Sequence, residues 1–377
     1  MKQMNWWQLN ALSLASLCLF VFSVWSFHYR MMTRESWGVP IEYWGDAWAN
    51  LGYIKAVSQG DWTPLGVMQV HQLNAPSSAA WQNFPMYEKV PTIALGLLAR
   101  HTSLGFASNV ALIAARLSAA VGFWCAAFLI LNCSRWWAWV GAVCFSLLYY
   151  HDWRGANHLL LQFTWTIPLF VAVTWIPLRP RWLLLISFLV GISNPYWVLG
   201  ALILVVICRQ SLRARVWLLC GLSIGFLLSH LATILWATKL DVFRTYADNE
   251  RFALRPMELL LPPLGGLLGN VSRSFLTAIP TWQQGEMFSP YLGLVGIFAL
   301  GLLVFDWIVR RQASLQFAQV CALTICSSIG GLTCLMALCG LPLFRAPNRL
   351  SEFIAAICLL YLVSRLSNRT HHDNHLV

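Results

Sequence analysis

Long apolar runs separated by short polar segments dominate the chain. We predict eight membrane spans from these runs, at about 6–27, 107–131, 137–150, 159–178, 216–237, 289–308, 317–338 and 350–364. A hydrocarbon core about 30 Å thick needs about 20 predominantly apolar residues in a helix to cross it. The pattern therefore predicts an all-α polytopic membrane protein, in which residues 1–377 form a single transmembrane domain.

The segment 182–207 is apolar throughout, yet basic residues lie on both sides of it: Arg179, Arg181, Arg209, Arg213 and Arg215. The sequence Ser193-Asn194-Pro195-Tyr196 interrupts it near the middle and leaves two halves of roughly 12 residues, each about 18 Å of helix. Helix breaks at membrane depth are tolerated where they line a cavity. We therefore predict a broken-helix hairpin over 182–207, with Asn194 and Tyr196 facing a cavity.

With this hairpin, the distribution of basic residues agrees with a single orientation of the chain in the membrane. The predicted cytoplasmic segments then hold 11 basic and two acidic residues, and the remainder of the chain holds 14 basic and 12 acidic residues. This bias follows the positive-inside rule and places both termini in the cytoplasm. The predicted outer segments are 28–105, 151–158, 238–288 and 339–349, and residues 366–377 form a cytoplasmic tail.

Composition supports a membrane environment and argues against nucleic acid as a partner. Charged residues make up 10% of the chain, against about 25% in soluble domains, and hydrophobic residues make up 58%. The net charge of +11 comes from basic residues scattered singly at the ends of apolar runs, so it forms no nucleic-acid footprint. Most of the 11 cysteines lie inside apolar runs, which favours packing roles over disulfides.

The first outer loop contains a helical pattern of its own. Asp46 precedes the stretch Ala47 to Gln59, Gly60 closes it, and apolar residues recur every three positions at Trp48, Leu51, Ile54 and Val57. A narrow apolar face of this kind predicts a helix that lies on the membrane surface. A second apolar stretch at 91–98 is too short to span.

The same loop holds the acidic and polar residues Glu42, Asp46, His71, Asn74 and Glu88. Asp46 follows Trp44 and Gly45, and a carboxylate at a membrane surface can act as a general base toward an acceptor hydroxyl. The more ordinary interpretation of Asp46 is a helix N-cap, since it lies where a cap belongs. The two roles do not exclude each other.

The other outer segments concentrate basic and titratable side chains. His151, Arg154 and His158 occur in one short connection, Glu286 precedes a span, and Arg345 and Arg349 flank the start of the last span. A phosphate group needs a fixed set of donors, which an arginine guanidinium supplies. Solvated loops and snorkelling are the alternatives, although arginines near the outer face oppose the positive-inside bias. Arg116 lies within an apolar run, which predicts a partner or a cavity for it.

Several segments together resemble a bacterial branch of the GT-C membrane glycosyltransferases. They occur in the family's order over most of the chain: Gly45-Asp46-Ala47-Trp48, Ile54-Lys55, Gly60-Asp61-Trp62, Leu73-Asn74-Ala75-Pro76, Phe84-Pro85, Tyr150-His151, Arg154-Gly155, His158, Leu259-Leu260-Leu261-Pro262, Leu292-Gly293-Leu294-Val295-Gly296 and Arg345-Ala346-Pro347-Asn348-Arg349-Leu350. The resemblance implies a GT-C-like helix bundle, a polyprenyl-phosphate sugar as donor and an acidic catalytic base in the first outer loop. Asp46 occupies the matching place.

Two features depart from the family pattern. Asn74 stands where the family has Gly in Leu-Gly-Ala-Pro, and the last span lies close to the end of the chain, where many relatives carry an outer domain. Acceptor recognition is therefore left open. Sugar, acceptor and lipid length are open as well.

The sequence and the resemblance together predict an inverting glycosyltransferase of a bacterial inner membrane, with its active site on the periplasmic face. Asp46 is the expected base, followed by Glu42 and Glu88. Donor phosphate is expected at Arg154, Arg345 and Arg349, and the substrate cavity is expected to involve His71, Asn74, His151, His158, Asn194, Tyr196 and Glu286. A glycan, lipid or protein acceptor and membrane lipids are the expected partners. No cofactor is assigned, and dependence on a divalent metal is left open.

Two other functions remain as alternatives. A transporter or flippase of lipid-linked sugars should show related halves or a polar path across the bilayer, and the sequence shows no internal repeat. A noncatalytic subunit of a cell-envelope glycan assembly system would leave the outer acidic residues dispensable.

Overall fold

The computed structural model describes residues 5–67, 69–73, 76–83, 89–237, 244–279, 286–311, 313–341 and 344–373. About 72% of the described residues are helical and almost none of them are strand, as expected for an all-α membrane protein. The α-helices of these residues are α1 (Trp6–His28), α2 (Arg34–Gly38), α3 (Ala47–Gln59), α4 (Lys89–His101), α5 (Leu104–Trp124), α6 (Arg135–Ser146), α7 (Tyr149–Arg154), α8 (Thr166–Trp175), α9 (Pro180–Gly191), α10 (Pro195–Val206), α11 (Leu212–Trp236), α12 (Tyr246–Arg251), α13 (Gly269–Ala278), α14 (Gly293–Arg310), α15 (Leu315–Ser327), α16 (Leu332–Leu338) and α17 (Ser351–Asp373).

Shorter elements connect these helices. A π-helical segment at Cys125–Ile130 continues α5, and 3₁₀ turns occupy Trp81–Asn83, Leu159–Gln162, Pro256–Leu259 and Pro347–Leu350. Two strands, β1 (Gln69–Val70) and β2 (Ala79–Ala80), pair antiparallel in the first predicted outer loop. The predicted tail at 366–377 begins as helix, because α17 continues to Asp373.

Five helical stretches of the described residues are long and apolar enough to cross a membrane: Trp6–His28, Leu104–Ile130, Leu212–Trp236, Gly293–Arg310 and Pro347–Ser367. The prediction of eight spans was therefore too high. The run 137–150 holds the 12-residue helix α6 and the start of α7. The run 159–178 divides into a 3₁₀ turn and α8, and the run 317–338 is broken between α15 and α16, where Gly330 has a φ of +71°.

The segment 182–207 forms two 12-residue helices, α9 and α10, with a break between them. Asn194 caps α10, because its side-chain oxygen accepts a hydrogen bond from the Tyr196 N–H at 3.1 Å. The chain after α10 returns to the end of α8, where Gln210 Nε2 donates to the carbonyls of Val173 and Ile176 at 2.5 and 2.6 Å. Both ends of the broken segment thus lie near the end of α8. Its depth in a membrane stays a prediction.

The core of the bundle is built around α17, which contacts α6, α8, α14 and α15. Its side chains from Phe353 to Leu360 are all buried, as is Leu350 just before the helix. A helix enclosed by protein on all sides reads as continuously apolar, so its polar residues mark places where a partner is required. Arg349 and Glu352 are such residues, and both lie at the beginning of α17.

Contacts between helix ends divide the bundle into two ends. At one end Tyr29, just after α1, donates a hydrogen bond to Asp152 of α7 at 3.0 Å. At the other end Arg135 donates to Asn10 of α1 at 3.1 Å, and the Ser134 N–H donates to Ser367 of α17 at 2.7 Å. Segments predicted to be outer thus meet at one end and segments predicted to be cytoplasmic meet at the other. Which end faces which side of a membrane stays a prediction.

The predicted helix of the first outer loop is confirmed in its bounds. It is α3, and Gly60 closes it with a φ of +95°. Three of the four residues of its predicted apolar face, Leu51, Ile54 and Val57, are buried against protein, and Val57 packs beside Gly96 of α4, whereas Trp48 is exposed. Contact of this helix with a membrane stays a prediction, in which Trp48 is the residue of that face left to make it.

Glycines bring α9 and α11 into close contact. Gly221 and Gly225 are four residues apart on α11, a spacing that lets helix backbones approach in membranes. A Cβ atom added at Gly225 would lie 2.4 Å from the Phe188 carbonyl oxygen and 2.9 Å from the Gly191 Cα. Only glycine fits this contact.

Gly225→Leu should therefore destabilise the protein. Forcing extra atoms into a packed contact typically costs about 1–3 kcal/mol, and the neighbouring atoms here belong to the backbone. The matched control is Gly301→Leu on α14, where no atom lies within 4 Å of an added Cβ. Thermal unfolding in detergent should give a clearly lower midpoint for Gly225→Leu only. Equal midpoints for both variants and the parent protein would contradict the close α9–α11 contact.

Candidate functional site

A clamp joins the first predicted outer loop to the chain that follows α7. The Ala47 N–H donates to the Asn157 side-chain oxygen at 3.3 Å, and Asn50 Nδ2 donates to the carbonyls of Ala156 and Asn157 at 3.0 Å each. Gly45 lies against the same asparagine with a φ of +56°, and an added Cβ would lie 2.7 Å from Asn157 Oδ1. The start of α3 is therefore held in one position relative to His158.

Glu42 is part of this clamp and does not lie open for catalysis. Its Oε2 accepts a hydrogen bond from the Ala156 N–H at 2.7 Å. The neighbouring Gly155 has a φ of +44°, and a Cβ there would lie 2.1 Å from the same carboxylate oxygen. Burial raises the pKa of the Glu42 carboxyl, and the backbone N–H groups of Ala156 and Asn157 oppose that rise. The contact supports a structural role for Glu42 and weakens it as a candidate base.

Asp46 lies at the predicted N-cap position but does not act as a cap. Its backbone has helical angles, φ −68° and ψ −10°, and its side chain makes no cap hydrogen bond. A capping side chain normally needs an extended backbone at this position, which explains the missing bond. The side chain is 70% exposed, and its Oδ2 lies 3.8 Å from His158 Nε2. Asp46 is thus an accessible carboxylate with a histidine beside it.

Glu286 connects three separate segments of the chain. Its carboxylate lies 2.5 Å from Arg154 Nη1 at the end of α7, and it accepts a hydrogen bond from Arg349 Nη2 at 3.1 Å just before α17. His158 Nε2 lies 3.7 Å from the same carboxylate. We refer to Asp46, Arg154, His158, Glu286 and Arg349 as the Glu286 cluster.

Electrostatics keep Glu286 charged and His158 neutral. Burial alone would raise the pKa of the Glu286 carboxyl, but the charges of Arg154 and Arg349 outweigh burial and hold that pKa well below its usual range. Burial, followed by the charges of the same two arginines, lowers the pKa of His158 to about 3. A neutral imidazole therefore lies between an ionised, enclosed Glu286 and the exposed Asp46.

Arg154 and Arg349 are enclosed as well as paired. The Arg154 guanidinium is 0% exposed, donates to Ser289 Oγ at 3.1 Å and lies 4.8 Å from the centre of the Tyr150 ring. Arg349 lies 4.6 Å from the centre of the Tyr196 ring. Both were predicted to hold a donor phosphate, and in this arrangement both already hold Glu286. A phosphate could reach them only if the Glu286 carboxylate moved.

Arg345, the third predicted phosphate ligand, is placed differently. It is half-buried, lies 5.6 Å from the centre of the Phe252 ring, and forms no ion pair with a carboxylate in the described part of the chain. The next residue, Ala346, donates its N–H to the Tyr196 hydroxyl at 3.3 Å, which fixes this segment beside Arg349. The charge of Arg345 also contributes to lowering the pKa of His158, so it lies near the cluster.

The remaining predicted site residues have varied positions. His71 pairs with Asp61, Nδ1 to Oδ1 at 2.6 Å, and contacts no member of the Glu286 cluster. His151 is fully buried on α7, and neither ring nitrogen has a hydrogen-bond partner among the described residues. Asn194 is a buried helix cap that positions Tyr196. Asn74 and Glu88 lie outside the described residues.

The sequence interpretation missed several residues that position the site. Asn50 and Asn157 form the clamp, and Ser289 holds Arg154. The expected partner of Arg116 is Asp152, with which it forms an ion pair. Among the described residues, no group of three His, Cys, Asp or Glu side chains is arranged to hold a metal ion.

No protein-family model matches the chain. Comparisons with curated proteins and with solved structures also gave no match. The function is therefore inferred from the residues and from the geometry of the Glu286 cluster.

Glu286→Gln should lower the free energy of unfolding, because it leaves two enclosed guanidinium groups without a counter-charge. Breaking a buried ion pair in this way typically costs about 3–5 kcal/mol. Since the carboxyl pKa is lowered in the folded protein, this contribution is complete above the unfolded pKa of about 4.3 and declines as the pH falls below it.

The measurement is thermal unfolding in detergent at pH 7 and at pH 4. Glu35→Gln is the control, since Glu35 is exposed on α2 and forms no ion pair with a described residue. The Glu286→Gln midpoint should be far below the parent at pH 7, with a smaller gap at pH 4. A midpoint equal to that of Glu35→Gln at pH 7 would mean that the bridge does not stabilise the fold.

Proposed function

We propose that this protein is a membrane glycosyltransferase, which moves a sugar from a polyprenyl-phosphate donor to an acceptor hydroxyl. One observation carries the proposal: an exposed carboxylate, Asp46, lies 3.8 Å from a neutral histidine whose other neighbour is a buried carboxylate held by two arginines. A base and a set of cations thus lie side by side at one end of a helical membrane bundle. This arrangement supports transfer between a hydroxyl and a phosphate-linked group.

The proposed reaction is a displacement at the anomeric carbon of the donor sugar. Asp46 takes the proton of the acceptor hydroxyl while the acceptor oxygen bonds to that carbon. The bond between the anomeric carbon and the phosphate oxygen breaks, and its electron pair leaves with the lipid phosphate. Attack from the side opposite the phosphate inverts the anomeric configuration.

His158 orients the base in this scheme. Because its pKa is lowered to about 3, the ring is neutral near pH 7 and carries one N–H. That N–H can point toward Asp46 or toward Glu286, since Nε2 lies at similar distances from both carboxylates, 3.8 and 3.7 Å. A neutral ring leaves the negative charge on Asp46 available for the acceptor proton. A protonated ring would compete for that charge.

Arg345 is the proposed first contact for the donor phosphate. Its charge helps to lower the pKa of the Asp248 carboxyl, but it forms no ion pair with a carboxylate of the described residues, so it can bind an anion without first breaking an ion pair. Arg154 and Arg349 provide a positive potential behind it, which stabilises the negative charge that develops on the leaving phosphate to the extent that Glu286 does not cancel it. With Arg345 counted, three arginines face the two carboxylates of Glu286 and Asp46, so the charge around the site is net positive.

The position of the charged residues favours transfer over transport. The Glu286 cluster and Arg345 lie at one end of the bundle, whereas a transporter needs polar groups along a path across it. The proposal also places the site on the periplasmic face of a bacterial inner membrane. It names no particular sugar. The acceptor can be a glycan, a lipid or a protein.

Asp46→Asn should abolish most transfer and leave the fold intact. The side chain makes no cap hydrogen bond, and Asn cannot accept the acceptor proton. General-base catalysis typically contributes about 10²–10⁴ in rate, so turnover should fall by that factor while donor affinity changes little. The assay follows sugar transfer from a polyprenyl-phosphate sugar by the purified protein in vesicles.

The matched control is Asp61→Asn, which removes a carboxylate of the same loop that pairs with His71. It should retain parental turnover. Parental turnover in a folded Asp46→Asn protein would remove Asp46 as the base. Movement of the intact lipid-linked sugar across the vesicle without transfer would favour the transporter alternative.

Arg345→Gln should weaken donor binding. A hydrogen bond to a charged group contributes about 1.5–3 kcal/mol, so the affinity for the lipid phosphate should fall about 10- to 100-fold. Arg251→Gln is the control, because Arg251 and Arg345 both lie 5.6 Å from the centre of the Phe252 ring. Binding of the polyprenyl phosphate is measured by titration in detergent. Equal losses in the two variants would indicate that packing against Phe252, and not phosphate binding, is the role of Arg345.

A further inference from the structure

A groove on the side of the bundle, away from the Glu286 cluster, lies between α1, α2 and α5. Its volume is about 820 Å³, and it lies open on one side. Phe22 of α1 and Trp37 of α2 form one wall, and their rings are stacked 6.3 Å apart. Gly38 contributes open space, because no atom lies within 4 Å of an added Cβ there. Since α1 and α5 are both of spanning length, we expect the groove to face the lipid of a membrane.

The floor of the groove is an apolar stripe along α5. Phe106, Val110, Ile113 and Leu117 line it, at spacings of four, three and four residues, which lie on one face of a helix. The stripe runs over 12 residues, or about 16 Å along the helix axis from the first to the last. Its four lining residues are apolar, and Arg116 in the same stretch pairs with Asp152 and does not line the groove. A hydrocarbon chain fits a floor of this length and chemistry.

One end of the groove is basic. Arg34 of α2 and His101 at the end of α4 line it, and both side chains are exposed. Arg30 and Arg100 are neighbours of these residues in sequence, and Glu35 is the only acidic residue in the stretches 28–38 and 99–106. The beginning of α5 adds a partial positive charge at Leu104, just after its cap Ser103. An anion is therefore favoured at this end.

We propose that the groove binds a membrane phospholipid with an anionic head group. One acyl chain lies along the α5 stripe, and the phosphate lies between Arg34 and His101. The positive charge at the basic end of the groove selects the head group, since a basic residue near a membrane surface attracts anionic lipid. The proposal does not depend on the glycosyltransferase function, because neither Arg34 nor His101 belongs to the Glu286 cluster.

A second groove of the same bundle provides a contrast. It lies between α6 and α14, has a volume of about 470 Å³ and is lined by apolar residues that include Leu147 and Leu294. Its charged residue is Asp152, and no arginine, lysine or histidine lines it. This groove can take a hydrocarbon chain as well, but it offers nothing to an anionic head group. Comparison of the two grooves separates lipid selectivity from simple filling of an apolar surface.

Native mass spectrometry of the full chain in detergent tests the proposal. The probes are dioleoyl phosphatidylglycerol and dioleoyl phosphatidylcholine, which share their acyl chains and differ in head-group charge. The parent protein should bind one phosphatidylglycerol in preference to phosphatidylcholine. Arg34→Gln should reduce that preference about fivefold, and the double variant Arg34→Gln/His101→Gln should reduce it further. Val110→Trp should weaken binding of both lipids, because the indole fills the floor of the groove.

Two controls place the effect in this groove. Arg273→Gln removes an exposed arginine of α13, and Leu294→Trp fills the second groove; both should leave the preference for phosphatidylglycerol unchanged. Equal binding of the two lipids by the parent protein would overturn the proposal. So would an unchanged preference in the Arg34→Gln/His101→Gln protein, or a dimer that excludes lipid and dissociates on Val110→Trp substitution.

Discussion

The ion pairs of Glu286 hold together the end of the bundle where the candidate site lies. Arg154 is the last residue of α7 and Arg349 precedes α17, and both are buried at the edge of the apolar core. Two guanidinium groups cannot remain there unless a carboxylate lies between them, because an unpaired charge inside a protein costs several kcal/mol. Glu286, just before α14, supplies that carboxylate. Three segments distant in sequence are thereby fixed to one point.

His158 links Asp46 to Glu286, because its Nε2 lies 3.8 Å from the Asp46 carboxylate and 3.7 Å from the Glu286 carboxylate. The clamp between Asn50, Asn157 and Glu42 ties the start of α3 to the turn after Arg154. That turn requires Gly155, since any side chain there would collide with the Glu42 carboxylate. An exposed carboxylate is thus held beside a neutral histidine although Asp46 itself makes no short contact. Hydrogen bonds hold the chain behind Asp46 and its carboxylate is exposed in front, as the proposed transfer from a large lipid-linked donor requires.

Local patterns predicted some of this organisation well. The bounds of α3 follow from Asp46, the apolar repeat and Gly60, and the break in 182–207 follows from Asn194-Pro195. Span number was overestimated because apolar composition does not reveal a break in a buried helix. The run 317–338 reads as one span, yet it bends at Ser328, beside the pairing of Leu254 with the same segment. Contacts over such distances in sequence leave no local signal.

The chemistry of the site was predicted only in part for the same reason. A first-loop carboxylate and several arginines were expected together, and Asp46, Arg154 and Arg349 do lie in one cluster. Glu286 was expected as a cavity residue, because nothing in its neighbours along the chain shows that two arginines share it. Likewise, Glu42 and Asp46 lie four residues apart, and the sequence placed Asp46 first by its position and by the resemblance, without excluding Glu42. The fold of Gly155 and Ala156 separates them physically, since it engages the Glu42 carboxylate and leaves the Asp46 carboxylate exposed.

A single asparagine, Asn109, connects the groove between α1, α2 and α5 with the segment that leads to the candidate site. Asn109 of α5 donates to the carbonyls of Trp37 and Val39 at 3.1 and 2.7 Å, and its side-chain oxygen accepts the Ile41 N–H at 3.0 Å. The hydrogen bonds of Asn109 therefore fix both the wall of the groove and the start of the segment that leads to Glu42 and the clamp. A lipid that packs against Trp37 would therefore contact the same hydrogen-bonded segment that leads to Asp46.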